Sequence, residues 1–376
     1  RLVGSEMCIR DRNSKLQVLA RIINNKSSIT ILDCFLFEIK NNMLSITASD
    51  SENMMQTTIQ LDESNEDGSF AVPSRTILEA VKELPEQPLM FDVNINNHTV
   101  EICYQNGKYN FTAQDAGEYP VMRQVPDEAN VINIDGKLLY NSISRSLFAT
   151  AQDELRPVMN GIYFDIKEDS ITVVASDGHK LVRSQISSMN GNVTSSFILP
   201  KKPASLLKNI LGRSDENIVI RFHEKSAEIK YTDGFMICRL IEGRYPNYNS
   251  VIPQNNPNEL TIDRKSLLGA LRRVLPFASE SSQLIRFHID SGNLELTSED
   301  MDFATSAKEN VICDYNGRTM DIGFKGGSLY EILTNLDCDD IIMHLADPSR
   351  AGVIEPATQA EDENILMLIM PMLLND

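Results

Sequence analysis

What this chain of 376 residues lacks narrows it first. No run of 18 apolar residues occurs, which excludes a membrane-spanning helix; the most apolar window, residues 365–374, is too short. The six cysteines, Cys8, Cys34, Cys103, Cys238, Cys313 and Cys338, form no CxxC pair and stand at no metal-ligand spacing from a histidine. Dispersed thiols of this kind predict a reduced, cytoplasmic protein without a metal site. GxSxG, Walker A and GxGxxG sequences are missing, and His98, His223, His288 and His344 fall in different strand-like segments without HxH or HExxH spacing. Gly326-Gly327 enters a helical pattern without the Lys-Ser/Thr of a phosphate loop. Neither a catalytic apparatus nor a cofactor is therefore expected. The opening RLVGSEMCIRDRN lacks the apolar core of a signal peptide and matches nothing else in the chain, so residues 1–14 are expected to be a non-native or disordered leader.

What is present is one pattern written three times. Residues 44–55 (LSITASDSENMM), 171–182 (ITVVASDGHKLV) and 294–305 (LELTSEDMDFAT) are each an alternating apolar strand ending on a hydroxyl-plus-carboxylate corner. The matched serines, Ser49, Ser176 and Ser298, lie 127 and 122 residues apart, a domain-sized spacing rather than a solenoid period. A helix-period segment and a tight turn precede each corner. A second helix follows each, at 70–85, 197–212 and 324–336, with more strands behind it. Asn106-Gly107 and Asp233-Gly234 are strong hairpin turns. The expectation is an α+β chain of three similar domains, 15–128, 129–256 and 257–376, each with two helices and antiparallel sheets. The joints fall at Pro126–Asn130 and Pro253–Asn258.

A net charge of −18 argues against nucleic acid until its distribution is read. The six helix windows (14–26, 73–84, 135–148, 200–213, 263–275, 325–336) hold 16 Lys/Arg against 5 Asp/Glu, a net of +11, so the remaining residues carry −29. Basic helices and acidic strands suit a layout in which helices meet a polyanion through sequence-blind phosphate contacts. Ordinary solvated helix faces would account for the charge equally well. Arg75, Arg145, Lys208, Arg272 and Arg273 are the candidates from this reading.

Six motifs in order on this frame resemble one family. They are Phe70-Ala-Val-Pro73, Arg156-Pro-Val-Met-Asn-Gly161, Ser176-Asp-Gly-His-Lys-Leu181, Gly243-Arg-Tyr-Pro-Asn-Tyr248 with Val251-Ile-Pro253, Leu345-Ala-Asp-Pro-Ser-Arg-Ala-Gly352, and Met370-Pro-Met-Leu-Leu374. From about Lys15 to Leu374 the chain is similar to the bacterial β sliding clamps, the beta subunit of DNA polymerase III. The resemblance implies a DNA clamp fold, with two helices per domain on an inner face and antiparallel sheets outside, closed into a ring as a head-to-tail homodimer. It implies a non-catalytic processivity factor around double-stranded DNA. The implied partners are the replicative polymerase catalytic subunit, the clamp loader, and repair and translesion polymerases that bind through short linear motifs. Lys26, Gln152, Arg156, Lys201 and Lys202 match positions that touch DNA in the family.

The family's peptide pocket maps onto Met159, Ser176, Gly178, His179, Lys180, Leu181, Pro246, Ser250, Val251, Leu368, Ile369, Met370, Pro371, Met372 and Leu374. Flexible, polarisable Met suits a groove for several related ligands, although Met also fills cores. The tail LMLIMPML reads as an apolar edge strand broken by Pro371. The family often has an arginine at the place of Ser250 and a basic residue at that of Leu373, so peptide preference is expected to shift toward apolar contacts. An aromatic is common where Pro157 stands. The resemblance also sets Phe277 and Ala278 against Phe111 of a second chain. Asp177-Gly178-His179 is read as a strand-end turn rather than an acid–base arm. The competing non-enzymatic reading is a repeat-built, peptide-binding scaffold that does not encircle DNA.

Overall fold

The computed structural model describes residues 2–4, 9–23, 28–84, 87, 89–121, 124–187, 193–212 and 216–374. Six α-helices lie among them: α1 (Ile9–Ala20), α2 (Ser74–Lys82), α3 (Gly136–Ser146), α4 (Lys201–Leu211), α5 (Arg264–Val274) and α6 (Gly326–Thr334); the last five fall in their expected windows, whereas α1 overlaps the window 14–26 only in part, starting five residues before it. The chain forms two compact units, Arg1–Leu139 with Ser205–Leu240 and Tyr140–Ala204 with Ile241–Asp376. The division does not follow the three repeats; it falls inside the middle one.

Strand pairing explains why. In the first unit an eight-stranded antiparallel sheet runs Gly68–Pro73, Cys34–Lys40, Met43–Ser49, Asn53–Gln60, Gly234–Arg239, Ser226–Tyr231, Asn217–His223, Asn130–Asp135. Its seam is Asn53–Gln60 against Gly234–Arg239, which joins the front of the first repeat to the back of the second. In the second unit a nine-stranded sheet has the equivalent seam, Lys180–Ile186 against Glu363–Ile369, seven residue pairs long. Each seam is an ordinary ladder, so it binds as firmly as any pairing within a repeat.

A smaller sheet completes each unit. Leu2–Gly4, Met90–Asn94, Thr99–Tyr104 and Gly107–Thr112 form the first. Thr305–Ile312, Asn293–Asp300, Leu284–Asp290, Met320–Lys325 and Pro371–Met372 form the second. One rule runs through all four sheets. The strand ahead of each helix pairs with the strands that follow the other helix of its repeat, as Gly68–Pro73 does with Cys34–Lys40 and Ser195–Pro200 with Gly161–Ile166. Leu2–Gly4 obeys it by lying along Met90–Asn94. The leader expected to stand outside the fold therefore contributes this strand, and the start of α1 at Ile9, because the pattern needs a strand before every helix.

Helix faces supply the core beneath the sheets. On α5, Leu267, Leu268, Ala270, Leu271 and Val274 are buried at helical spacing and meet Leu329, Ile332 and Leu333 of α6 in one apolar cluster. Each such leucine, isoleucine or valine side chain taken from water contributes about 1.5–3 kcal/mol. Asp263 caps α5 by accepting the Ser266 amide at 2.7 Å. Arg264, counted among the basic residues, caps the end of α6 instead, donating to the carbonyls of Leu333 and Cys338 at 2.9 and 2.7 Å. Cys34, Cys238 and Cys313 are buried free thiols, and burial pushes Cys34 up to about 11 and Cys238 to about 12, so neither is reactive.

Gly234 sits at the first seam with no room for a side chain, since a Cβ would run into the carbonyl oxygen of Gln56. Gly234→Ala should cost about 1–3 kcal/mol of stability by overpacking, read as a lower denaturant midpoint. An unchanged midpoint would show that the seam tolerates separation.

Candidate functional site

The Ser176 corner is built almost wholly from its own side chains. Ser176 Oγ donates to the Lys180 carbonyl at 2.9 Å and accepts the Gly178 amide at 3.1 Å. Asp177 Oδ1 accepts the His179 and Lys180 amides, both at 2.9 Å. Gly178 takes φ 90°, the left-handed region that only glycine enters freely. The result is a rigid turn with the exposed imidazole of His179 at its tip. Among the described residues no group of three or more metal-ligating side chains comes together.

The period-2 alternation of strands decides which residues share the sheet face that forms a candidate groove beside this corner. Leu181 pairs with Leu368, and both belong to an apolar floor with Val174, Ile198, Tyr245, Tyr248, Ile252 and Val353. Tyr163 stacks on Tyr245 with centroids 4.6 Å apart and parallel planes. Tyr248 donates to Asp165 at 2.8 Å, and burial pushes both the Tyr245 and Tyr248 phenols up, the latter to about 12. The aromatic floor was not among the expected pocket residues, although the Gly243–Tyr248 motif contains two of its tyrosines.

Lys180 pairs with Ile369 one step along the same ladder, so both lie behind the sheet and not in the groove. Ile369 joins the helix-side core. The Lys180 ammonium sits 2.9 Å from Asp177 and 2.9 Å from Glu331 of α6, and 5.9 Å above the Phe148 ring. Burial would lower its pKa, but the two carboxylates outweigh that and hold it above the usual lysine range. Asp177 is likewise opposed by burial, yet the two amides and the ammonium keep it below the ordinary aspartate value. Met159 is also buried, and its neighbour Val158 is the residue packed on the floor. Lys180 and Ile369 thus support the groove and do not line it, while Met159 is as buried as the floor residues themselves.

The tail departs from expectation too. Glu363–Ile369 is a central strand, paired on both sides, rather than an edge. Met370 leaves it, donates its amide to the His179 carbonyl at 2.9 Å, and is 41% exposed beside the corner. Pro371 and Met372 then pair with Phe324 and Gly323 in the five-stranded sheet. Pro246, Ser250 and Val251 are exposed, and Ser250 donates to the Asn247 carbonyl at 2.7 Å. Leu373 is 82% exposed, and with Leu374, Met320, Arg286 and Arg318 it borders a further cleft of about 720 Å³.

The expected DNA contacts divide. Gln152 and Arg272 are exposed, and Arg272 lies 5.5 Å over the Tyr330 ring. Lys201, Lys202 and Lys208 are half-buried along α4, where burial and then the Lys180 charge lower the Lys201 pKa. Arg75 is exposed next to Glu79 at 3.3 Å. Arg273 is held bidentately by Glu309 at 2.7 and 2.9 Å. Arg145 is a correction: it makes a 2.8 Å pair with Glu363, both side chains largely buried, so its charge is spent inside the protein. Arg156 pairs with Asp153 at 2.8 Å and lays its guanidinium against Gly178, which puts it on the groove's rim. Lys26 lies outside the described residues.

Phe111 is half-buried on Gly107–Thr112, an edge of the four-stranded sheet. In the other unit, Phe277 is 42% exposed and Ala278 half-buried, near the edge strand Thr305–Ile312. Met301, Phe303 and Ile312, also strongly exposed there, carried no sequence signal of their own.

Three family descriptions match the chain: "DNA polymerase III beta subunit, N-terminal domain" over residues 10–123, "central domain" over 133–247 and "C-terminal domain" over 249–373. It is 27% identical to the "Beta sliding clamp" of Haemophilus influenzae, covering 95% of this chain and 96% of that one. Against that of Staphylococcus epidermidis the identity is 26%, with 96% of both covered. Among solved structures, the beta subunit from Thermotoga maritima superposes with a TM-score of 0.90 at 24% identity over 100% of both chains. A Pseudomonas aeruginosa clamp bound to griselimycin gives 0.93 at 22%, covering 99% of this chain and 100% of that one. At these identities the structural likeness speaks for the fold.

Lys180→Met should leave Asp177 and Glu331 facing each other uncompensated, at a cost of about 2–3 kcal/mol, the low end for a buried pair because Glu331 is half-exposed. Chemical denaturation measures it, and an unchanged midpoint would contradict the caged role. The depressed Asp177 pKa contributes stability above the ordinary aspartate value, lost as pH falls through the depressed one. Lys180's raised pKa contributes stability below the ordinary lysine value, lost only as pH rises through the raised one. Asp177→Asn should therefore flatten the acid limb of the stability profile and leave the alkaline limb governed by Glu331.

Proposed function

The chain belongs to the DNA polymerase III beta subunit family, and from that membership we propose how its own residues carry out the family's work. It is a DNA sliding clamp with the three-domain clamp fold, a processivity factor and not an enzyme. The domains we assign are 15–128, 129–256 and 257–376, the first extended backward by the strand Leu2–Gly4 and the start of α1. Two chains join head to tail, the edge Gly107–Thr112 of one against the edge Thr305–Ile312 of the next. Four strands and five then make a nine-stranded sheet like the one already within the chain. Unpaired strand edges motivate this closure. Phe111, Phe277 and Ile312 bury their apolar surface there.

Around duplex DNA, Lys201, Lys202, Lys208 and Arg272 supply a modest positive field, and the neutral amide of Gln152 adds a hydrogen-bond donor. Contacts that are few and sequence-blind let the duplex slide, while topology rather than affinity holds it. The groove of Leu181, Leu368, Pro246, Val251, Met370 and Met372 takes short peptide segments of the replicative polymerase, the clamp loader, and repair and translesion polymerases. The observation that carries this is the exposed Met370 bonded to the rigid His179 corner above an aromatic floor. Clamps from Pseudomonas aeruginosa and Bartonella birtlesii have been solved bound to griselimycin, and we assign that ligand in this chain to the groove just described. This work would take place in the cytoplasm; among the described residues no helix is long and apolar enough to cross a membrane.

With a clamp loader supplied, the protein should stay on closed circular DNA and run off a linear duplex. Equal loss from both, with griselimycin binding intact, would leave the peptide-binding scaffold as the better account. Ile312→Lys should shift the sedimenting species from dimer toward monomer and abolish retention together; a wild type that is monomeric at micromolar concentration would overturn the ring.

A further inference from the structure

The seam in the first unit repeats the geometry of the groove seam almost bond for bond. Ser49 Oγ donates to the Asn53 carbonyl at 3.0 Å, as Ser176 does to Lys180 at 2.9 Å. Asp50 Oδ1 accepts the Glu52 and Asn53 amides at 3.0 and 2.7 Å, as Asp177 accepts His179 and Lys180. Ser51 takes φ 79° where Gly178 takes 90°. Met54 pairs with Ile237 as Leu181 pairs with Leu368. The Arg239 amide donates to the Glu52 carbonyl at 3.0 Å, the counterpart of Met370 and His179. Behind the two corners stand Tyr119 and Tyr245, both buried, each from a Gly-x-Tyr-Pro segment, Gly117–Pro120 and Gly243–Pro246.

The lips differ. At the groove they are His179 and the thioether of Met370; at the Ser49 corner they are Glu52 and Arg239, ion-paired at 3.5 Å with both side chains more than half exposed. An exposed pair of this kind holds itself together only weakly. Its effect lies elsewhere: an apolar side chain arriving there would have to strip water from two charges, which is far costlier than sliding past a flexible Met. Discrimination between two like frames then comes from one repulsive element.

We propose that the Glu52–Arg239 pair is a specificity determinant that confines partner peptides to one groove per chain, by closing a second groove of the same design at the Ser49 corner. The proposal rests on the peptide-groove reading given above. Its occupant, once opened, is the same class of ligand, a short peptide that seats apolar side chains on a Met–Ile floor.

The test uses the full-length protein with griselimycin as probe, calorimetry for stoichiometry and hydrogen exchange to locate protection. Wild type is expected to bind one per chain, with protection at 176–181 and 366–370. Glu52→His with Arg239→Met is expected to bind two, the second protecting 49–54 and 237–240. Arg239→Met alone, which leaves every corner bond in place, should give a second site of lower affinity. The reciprocal change, His179→Glu with Met370→Arg, should close the original groove, and all four substitutions together should move the single site to the Ser49 corner. Variants that keep the wild-type denaturation midpoint and still bind one molecule, at the original groove, would overturn the proposal. A wild type that binds none, or binds away from 176–181, overturns the groove reading itself and the proposal with it.

Discussion

Everything in this protein depends on the need of a β-strand to have both edges satisfied. The three repeats would be separate beads if each finished its own sheet. Instead Asn53–Gln60 finds Gly234–Arg239 and Lys180–Ile186 finds Glu363–Ile369, and a backbone ladder replaces what would otherwise be a linker. The proposed peptide groove is a by-product of one such ladder. Its floor is the outer face of the seam, its lip is the corner where one strand begins, and its tail is the point where the other strand leaves. Met370 stands on the groove because the ladder ends there.

Much of this was legible in the residues. The Ser49 and Ser176 corners, the six helices and the succession of strands follow from period and turn chemistry, which act locally; the third expected corner, at Ser298-Glu299, is instead the inside of the strand Asn293–Asp300, and Ser298 Oγ donates to the Val274 carbonyl at 2.6 Å. The seams were not legible, because no local rule says which of many apolar strands will lie side by side across some 180 residues. The face of each residue was lost for a related reason. Alternation shows that Lys180 and Leu181 look opposite ways, but only the sheet's position above α6 shows that Lys180 looks inward. The tail read as an edge because Pro371 is there, whereas the proline marks the switch from one sheet to another. Leu2–Gly4 was set aside because its residues resemble nothing else in the chain; backbone pairing does not ask for resemblance.

Charge was the weakest guide. The helices are basic as counted, but the count assigns to an outside partner several cations already engaged within the protein. Arg264 closes the end of α6, Arg145 is buried against Glu363, and Arg273 is clasped by Glu309. What remains toward a polyanion is thinner than the formal charge suggested, which agrees with a ligand held by enclosure and not by grip.

The crossing of opening strands between half-repeats bears on how the chain is made. Leu2–Gly4 is made well before its neighbour Met90–Asn94, which follows only after the rest of that half and a second helix have emerged. Gly68–Pro73 can close on Cys34–Lys40 much sooner. Each repeat therefore carries one early and one late closure, and its last ladder depends on contacts distant in sequence, the slow kind. A ribosome stalled inside a repeat would present an open sheet on both halves at once, and even a finished first repeat waits for Gly234–Arg239 to cover Asn53–Gln60, so completing a repeat does not by itself close its edges.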